Sequence, residues 1–557
     1  MVVVTGFTGQ LSLCQYALGG FGAWMTARMI ASNGLGLEPA LLIGVASAAL
    51  LGAVVAIPAL RTRGVSLAVV TFGLALLLES IVFNSTLLGG IGGRFVLPTL
   101  LGIHIDPLHH PDRYLMVAIV LFALAAVAVA NVRRGASGRR LLAVRSNERA
   151  AASLGVGVYG AKVYGFALAA AIAGLGGTLV AFRTPRIGFG ALSVSSSISA
   201  VLYSLVGGIA WVSGSIIAAT LSPGALNTKL LNDNFPQIGD VASWLALATS
   251  VAVVVMLRFA PDGAAASISR AARRAVPRTG RGARRPDPDQ HSISGPTEPR
   301  RSPPVQGLTV TDVTVDFGGI RALDHVSFEV RTGEVVGLIG PNGAGKTTIL
   351  DVISGFTAPD HGSVRLDGRS LDRLGPERRA RAGIIRSWQH VELFDGLSVR
   401  ENLLVAADPQ LRRRYVTDLV KPGRPRWSAL LQEVVDELQL GALLDVRPSS
   451  LSHGESRLVG IARAIVAEPA VLLLDEPAAG LDPRERGELA GIIRRLVVRL
   501  GIPVLAIEHD VALLLSVCDR IIVMEDGRVI ASGTPEEVTR DAAVIRAYLG
   551  DVATLAD

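Results

Sequence analysis

The run Gly340-Pro-Asn-Gly-Ala-Gly-Lys-Thr-Thr348 stands between the apolar stretches Val335-Val-Gly-Leu-Ile339 and Ile349-Leu-Asp-Val-Ile353. Without side chains at Gly340, Gly343 and Gly345 the backbone can curl with its N–H groups turned inward. A helix starting there adds the positive end of its dipole, which makes a cradle for a phosphate chain. Lys346 would reach the β/γ-phosphates as a point charge, and the Thr347 hydroxyl would take one position on Mg²⁺. Further on, Val471-Leu-Leu-Leu-Asp-Glu-Pro477 reads as a fully apolar strand ending in two carboxylates. Asp475 fits Mg²⁺, directly or through water, and Glu476 fits the base that polarises a water for in-line attack on a γ-phosphate. Charges at the end of a buried strand need partners, which disfavours a chance ending.

Other candidates depend on this pair. Leu451-Ser-His-Gly-Glu455 opens a long helical run, so Ser452 and Gly454 offer a cap and exposed N–H donors, a second anion site; alone they would be a routine N-cap. Gln389 could turn its amide oxygen to Mg²⁺ or to the attacking water, and His509, just past the apolar run Val504-Leu-Ala-Ile507, could contact the γ-phosphate. Either residue in isolation would be ordinary or structural. Phe317 precedes the phosphate loop in the position of an adenine-stacking ring, with hairpin core as the alternative.

These side chains require strands to hold them. Residues 308–330 alternate in the strand manner around Phe317-Gly-Gly319, and a helical region is expected from about 398 to 466. The soluble half is therefore expected to be an α/β P-loop domain. It does not account for the whole chain of 557 residues, half of them hydrophobic and 18% charged. The apolar excess lies in residues 1–260, and the charges crowd in after them. Stretches long enough to span a bilayer of roughly 30 Å occur near 10–31, 40–60, 64–88, 114–131, 161–182 and 241–260. The expected architecture is an α-helical polytopic membrane domain (1–260), a basic disordered linker (261–304) and the ATPase domain (305–557).

Arg61 and Arg63, and the cluster Arg133, Arg134, Arg139, Arg140, Arg145 and Arg149, assign their loops to the cytoplasm by the positive-inside rule, with the N-terminus inside. Residues 195–221 must then cross an even number of times, and Gly207-Gly208 with Gly214 predicts a broken helix or two short tilted segments. Such a break suits a transport site, while close packing at small residues explains it equally. Arg183 and Arg186 fall outside in this scheme and run against it. His104, His109 and His110 read as a solvated loop, for want of Cys or carboxylates at ligand spacing. The formal charge of +7 sits in short arginine clusters beside apolar runs, and the linker has no interleaved aromatics, so no nucleic-acid partner is expected. Cys14 and Cys518, one in each half, imply no disulfide framework. The N-terminus lacks a signal-peptide pattern.

Residues 137–156 form a basic amphipathic segment that could dock on an ATPase or lie at the anionic inner leaflet. With Gly9-Gln-Leu-Ser-Leu13 and Gly207-Gly-Ile-Ala-Trp-Val-Ser-Gly214, it resembles the permease subunits of branched-chain amino-acid ABC importers over most of residues 1–260. Permeases of that family usually have one or more helices before the Gly-Gln-Leu-Ser element, so a truncated start or an upstream partner is expected. Residues 305–557 resemble an ABC ATP-binding domain, closest to the ATP-binding subunits of the same importers, down to Ala531-Ser-Gly-Thr-Pro-Glu-Glu-Val538 and Tyr548-Leu-Gly550.

The resemblance implies that Gly340 to Thr348, including Asn342 and Thr348, bind ATP and that Gln389 forms the Gln loop. It implies that Asp475 serves Mg²⁺, Glu476 is the base and His509 the switch histidine. Ser452 and Gly454 would contact ATP held by a partner's phosphate loop in a head-to-tail dimer. His453 and Glu455 depart from the usual Leu-Ser-Gly-Gly-Gln, and Glu455 brings an acid close to that composite site. The implied machine works in the cytoplasmic membrane with a second permease domain, a second ATP-binding domain and an extracytoplasmic solute-binding protein. An exporter half-transporter, an importer of urea or short amides, and a non-transporting ATP switch are the rivals.

Overall fold

The computed structural model describes residues 1–59, 65–84, 99–100, 102–105, 107, 109–183, 189–222, 233–234, 241–259, 263–268, 307–388, 392–508 and 511–549. The chain forms two compact units, each taking a short segment from the other half of the sequence. Ser146–Val158 belongs to the unit built from the C-terminal half, and Arg413–Gly423 belongs to the unit built from the N-terminal half.

The first unit is helical: α1 (Gln15–Asn33), α2 (Leu37–Ala59), α3 (Val65–Leu77, continuing as a π-helical turn Leu78–Phe83), α4 (Pro111–Arg134), α5 (Ala136–Ser146), α7 (Val158–Ala181), α8 (Val194–Gly207), α9 (Val212–Thr220) and α10 (Val241–Phe259). Between α5 and α7 the short α6 (Glu148–Ser153) goes to the other unit. Among the described residues four spans, Leu37–Pro58, Ser66–Phe83, Pro111–Arg134 and Val158–Ala181, are long and apolar enough to cross a membrane, or five if the bent pair Val194–Gly207 and Val212–Thr220 is one span. The sequence suggested six. Helix α1 carries the polar residues Gln15, Thr26 and Arg28 and is not among these spans. In α10 the apolar part is Leu247–Met256, among the described residues.

Glycines allow the helix crossings. A Cβ at Gly177 of α7 would lie 2.2 Å from the Gly19 carbonyl of α1, and one at Gly44 of α2 would lie 2.0 Å from the Thr26 hydroxyl. Backbones this close are how helices associate where lipid competes for apolar contacts. Helices α8 and α9 are the expected broken pair, bent by 118°. A Cβ at Gly214 would lie 2.2 Å from the Gly208 carbonyl, so the break and the close packing occur together. Arg139 and Arg140 are buried, unlike residues resting on a lipid surface. Residues 263–268 are helical within the stretch expected to be coil, and the rest of that stretch lies outside the described residues.

The second unit contains two sheets. β1 (Leu308–Phe317) and β2 (Ile320–Val330) form the expected hairpin and share a four-stranded antiparallel sheet with β4 (His361–Leu366) and β5 (Arg369–Ser370), ordered β2-β1-β4-β5. The other sheet, ordered β10-β9-β3-β8-β7-β6, comprises β3 (Val335–Ile339), β6 (Ile384–Arg386), β7 (Val471–Asp475), β8 (Val504–Ile507), β9 (Arg520–Glu525) and β10 (Arg528–Gly533). Only β10 runs antiparallel. Strands β3, β7 and β8 are buried throughout, as a parallel sheet covered on both faces requires. Helix α11 (Lys346–Ser354) follows β3, and α12 (Pro376–Arg381) precedes β6. The helical stretch consists of α13 (Val399–Ala407), α14 (Arg414–Val420, which belongs to the first unit), α15 (Ala429–Glu437) and α16 (His453–Val466), and α17 (Pro483–Leu500) follows β7.

Candidate functional site

The carboxyl ends of parallel strands collect at one edge of a sheet, where open α/β folds bind ligands. β8 lies between β3 and β7, with Ile507 paired to Leu338 on one side and Asp475 on the other. The glycine loop and the Asp475-Glu476 pair therefore meet at that edge. Gly343 and Gly345 take φ of +89° and +93°, left-handed values that favour glycine. A Cβ at Gly345 would lie 2.6 Å from the Ala322 carbonyl, and one at Gly340 would lie 2.1 Å from that of Met524. The loop is thus fixed against the rest of the unit while its inner side stays open.

Lys346 begins α11. Its Nζ donates to the carbonyls of Gly340 (2.7 Å) and Pro341 (2.8 Å). Burial lowers its pKa, and the charges of Glu476 and Asp475 oppose that shift. A buried ammonium held by carbonyls rather than by a carboxylate suits an incoming anion. Asn342 and Thr347 are exposed at the loop and Thr348 is half-buried.

Asp475 is buried and accepts from Arg386 Nη2 at 2.7 Å, while Arg386 Nη1 donates to Asp351 of α11. The Arg386 guanidinium also stacks 4.3 Å from the Trp388 ring centroid. Glu476 has φ of +47°, a strained value for a residue with a Cβ, and its N–H donates to the Ile507 carbonyl at 2.9 Å. Next on β8's edge, Glu508 is buried and accepts from the Ala478 N–H at 2.7 Å. Arg457 of α16 is buried too; burial lowers its pKa against the pull of Glu508, Glu476 and Asp475, and among the described residues its Nε has no hydrogen-bond partner. Arg386, Arg457 and Glu508 escaped the sequence reading. Arg386 at the end of an apolar strand, as with Asp475, was the available signal.

Among the described residues no three His, Cys, Asp or Glu converge on a metal position. Mg²⁺ does not need such a cage, since it commonly takes one or two protein oxygens and completes its shell with phosphates and water. The Thr347 hydroxyl and the Asp475 carboxylate fit that pattern.

Ser452 caps α16 in a reciprocal capping box: its hydroxyl accepts from the Glu455 N–H (3.2 Å), and its own N–H donates to Glu455 Oε2 (2.7 Å). The Glu455 carboxylate, the acid expected close to the composite phosphate site, accepts from the Ser452 N–H in this cap. No hydrogen bond among the described residues joins Ser452 or Gly454 to the glycine loop, so the structure does not bring the two anion sites together within this unit. Phe317 is half exposed at the hairpin end and is not core. Gln389 and His509 lie outside the described residues.

The sequence is similar to the high-affinity branched-chain amino acid transport ATP-binding protein LivG of Salmonella typhimurium, 42% identical over 249 residues, covering 44% of this chain and 98% of that protein. The chain belongs to the ABC transporter family. The model of that family matches residues 323–479, and one for a branched-chain amino acid ATP-binding cassette transporter matches residues 528–554. The N-terminal part of this ABC transporter chain, residues 1–262, matches the branched-chain amino acid transport system / permease component. BraF of Pseudomonas aeruginosa, a high-affinity branched-chain amino acid transport ATP-binding protein, is 39% identical over 249 residues, covering 44% of this chain and 98% of its own. A crystal structure of a nucleotide-free ATP-binding cassette from an ABC transporter covers 44% of this chain and 99% of its own, at 30% identity and a TM-score of 0.39.

The ABC unit includes a piece of the permease half. Ser146–Val158 is one of its segments, with α6 against α12. The Val158 N–H donates to Glu377 Oε1 at 2.7 Å, Arg381 Nε donates to the Gly155 carbonyl at 2.8 Å, and Trp388 Nε1 donates to the Ser153 hydroxyl at 3.1 Å. Of the segment 137–156 read from sequence, residues 146–156 lie with the ATPase unit and residues 137–145 with the helical unit.

Proposed function

We propose that the chain is the permease and ATPase of an importer that drives uptake of branched-chain amino acids across the cytoplasmic membrane with ATP. The observation that carries this reading is the joining of a branched-chain amino acid permease sequence to a strand-edge phosphate cradle in one polypeptide. The proposed divisions are 1–260 for the permease, 261–304 for a linker and 305–557 for the ATPase. Partners are a second permease domain, a second ATP-binding domain and an extracytoplasmic solute-binding protein.

In this reading the N–H groups of Gly340 to Thr348 and the Lys346 ammonium receive the phosphate chain of ATP, and Phe317 stacks on its adenine. Thr347 and Asp475, with Gln389, hold Mg²⁺, which supplies charge neutralisation at the phosphoryl oxygens. Arg386 fixes the orientation of Asp475. Glu476, held in its strained conformation, takes the proton of the attacking water, and His509 contacts the γ-phosphate. Ser452 and Gly454 complete the site on a partner ATPase, and Glu455 orders that helix end by closing the capping box. Closure and reopening of the ATPase pair reach the permease helices through Ser146–Val158.

The test of the assigned base is Glu476→Gln. It keeps the shape and backbone bond and removes the proton acceptor, so ATP binding should persist while hydrolysis falls by about 10²–10⁴-fold. Hydrolysis at the native rate in the purified variant would remove Glu476 from that role.

A further inference from the structure

Among the described residues Arg379 is one of the most deeply buried cations, 1% exposed, and it faces carbonyls rather than carboxylates. Its Nη1 donates to the Val352 (2.6 Å) and Ile353 (3.0 Å) carbonyls, and its Nε to the Leu374 carbonyl (2.8 Å). Val352 and Ile353 are in the last turn of α11, whose other end is the phosphate loop. The guanidinium supplies a donor to the Ile353 carbonyl and a second donor to the Val352 carbonyl, which also accepts from the Gly355 N–H at 3.1 Å, and it meets the negative end of the helix dipole. The fit is close: α11 ends at Gly355 with φ of +83°, where a Cβ would lie 2.8 Å from Arg379 Cδ. Burying a guanidinium is costly and lowers its pKa, the charge of Asp372 only partly opposing this. A lysine or methionine could fill this space without the fork, so the geometry of the fork needs its own explanation.

Arg379 lies on α12 between the two residues that grip Ser146–Val158. Glu377, two positions before it, accepts from the Val158 N–H, and Arg381, two positions after it, donates to the Gly155 carbonyl. A six-residue helix has no room to bend between these contacts. The phosphate loop, nine-residue α11, Arg379, α12 and the 155–158 backbone therefore form one hydrogen-bonded series. Helix α11 gives it a length of about 13 Å, at 1.5 Å per residue.

We propose that Arg379 is a positioning residue which locks α11 to α12, so that a displacement of the phosphate loop is delivered to residues 148–158. This rests on the reading of the loop as the ATP site. A second route runs from Asp351 of α11 through Arg386 and the Trp388 ring to the Ser153 hydroxyl; it reaches α6 by one side-chain bond, whereas the Gly155 and Val158 backbone is held by α12, which Arg379 locks to α11.

The test is hydrogen exchange of the full chain in detergent, carrying Glu476→Gln to prevent turnover, with and without ATP and Mg²⁺. With Arg379 present, ATP should change protection both in the glycine loop and in residues 148–158. With Arg379→Met, ATP affinity should stay within about twofold, as expected for a site this far from the loop, and the loop should still respond while the response at 148–158 is largely lost. A purely structural role would raise exchange equally with and without ATP and leave the difference between them intact; that outcome overturns the proposal. If Arg379→Met does not fold, Arg379→Lys keeps the charge and loses the fork, and a full ATP response at 148–158 in that variant overturns the proposal equally. No ATP response in the glycine loop, even with Arg379 present, would instead refute the nucleotide reading on which the proposal rests.

Discussion

Replacing Arg386 by methionine tests how the site is held together. Arg386 and Asp475 have side chains 1% and 5% exposed and meet at 2.7 Å, and the same guanidinium binds Asp351. The substitution preserves most of the volume and leaves Asp475 as a buried carboxylate without its cation. Removing one partner of such a pair costs about 3–5 kcal/mol, and the lost contact with Trp388 adds up to about 2 kcal/mol. These terms share one side chain and will not add in full, so roughly 4 kcal/mol is expected. For a domain of this size each kcal/mol moves the melting point by about 2–4 °C, which gives a fall on the order of 10 °C. The assay is thermal unfolding of the full chain in detergent, with the ATPase transition identified by its upward shift when ATP is added. Combining Arg386→Met with Asp475→Asn should return part of the loss, because the stranded charge is removed. A fall below about 3 °C, equivalent to about 1 kcal/mol, would refute the argument that Asp475 depends on this partner.

Asp418 is fully buried and caps α5 from the far end of the sequence, accepting from the Ser137 N–H at 2.9 Å. Asp418→Ala should cost about 1–3 kcal/mol and speed tryptic cleavage at Arg412, Arg413 and Arg414; unchanged cleavage would contradict the cap. The Asp519 carboxylate accepts twice from Arg494, at 2.7 Å each, which together with a bond accepted from the Val335 N–H lowers its pKa despite partial burial. Its folded pKa lies below its unfolded one, so its contribution to stability is present above the ordinary carboxylate range and is lost as pH falls through the folded value. Acid unfolding of Asp519→Asn should therefore lose this part of the pH dependence; an acid limb identical to the native one would count against it.

The strand, glycine loop and helix at residues 335–354 were legible because each carries a local signature: a continuous apolar run, glycines at left-handed positions, and a helix that begins where they stop. The break at Gly207-Gly208 was legible for the same reason. What escaped were pairings between distant segments. Arg386 reads as a surface residue until β6 is placed beside β7, and Asp418 reads as an exposed acid until α14 is placed on α4 and α5. The docking segment looked like one basic amphipathic helix, yet the chain turns at Asn147, whose side chain accepts from the Ala150 N–H, and divides it into α5 and α6. The bond from the Ser452 N–H to the Glu455 carboxylate is likewise a pairing that composition does not reveal.

The most direct measurement of the central claim is uptake of radiolabelled leucine into proteoliposomes that contain this chain purified with its co-purifying partners, the solute-binding protein outside and ATP with Mg²⁺ inside. The account predicts accumulation that requires internal ATP and disappears with Glu476→Gln. Leucine uptake that proceeds without ATP, or an ATP-hydrolysing assembly that moves no leucine, would contradict it.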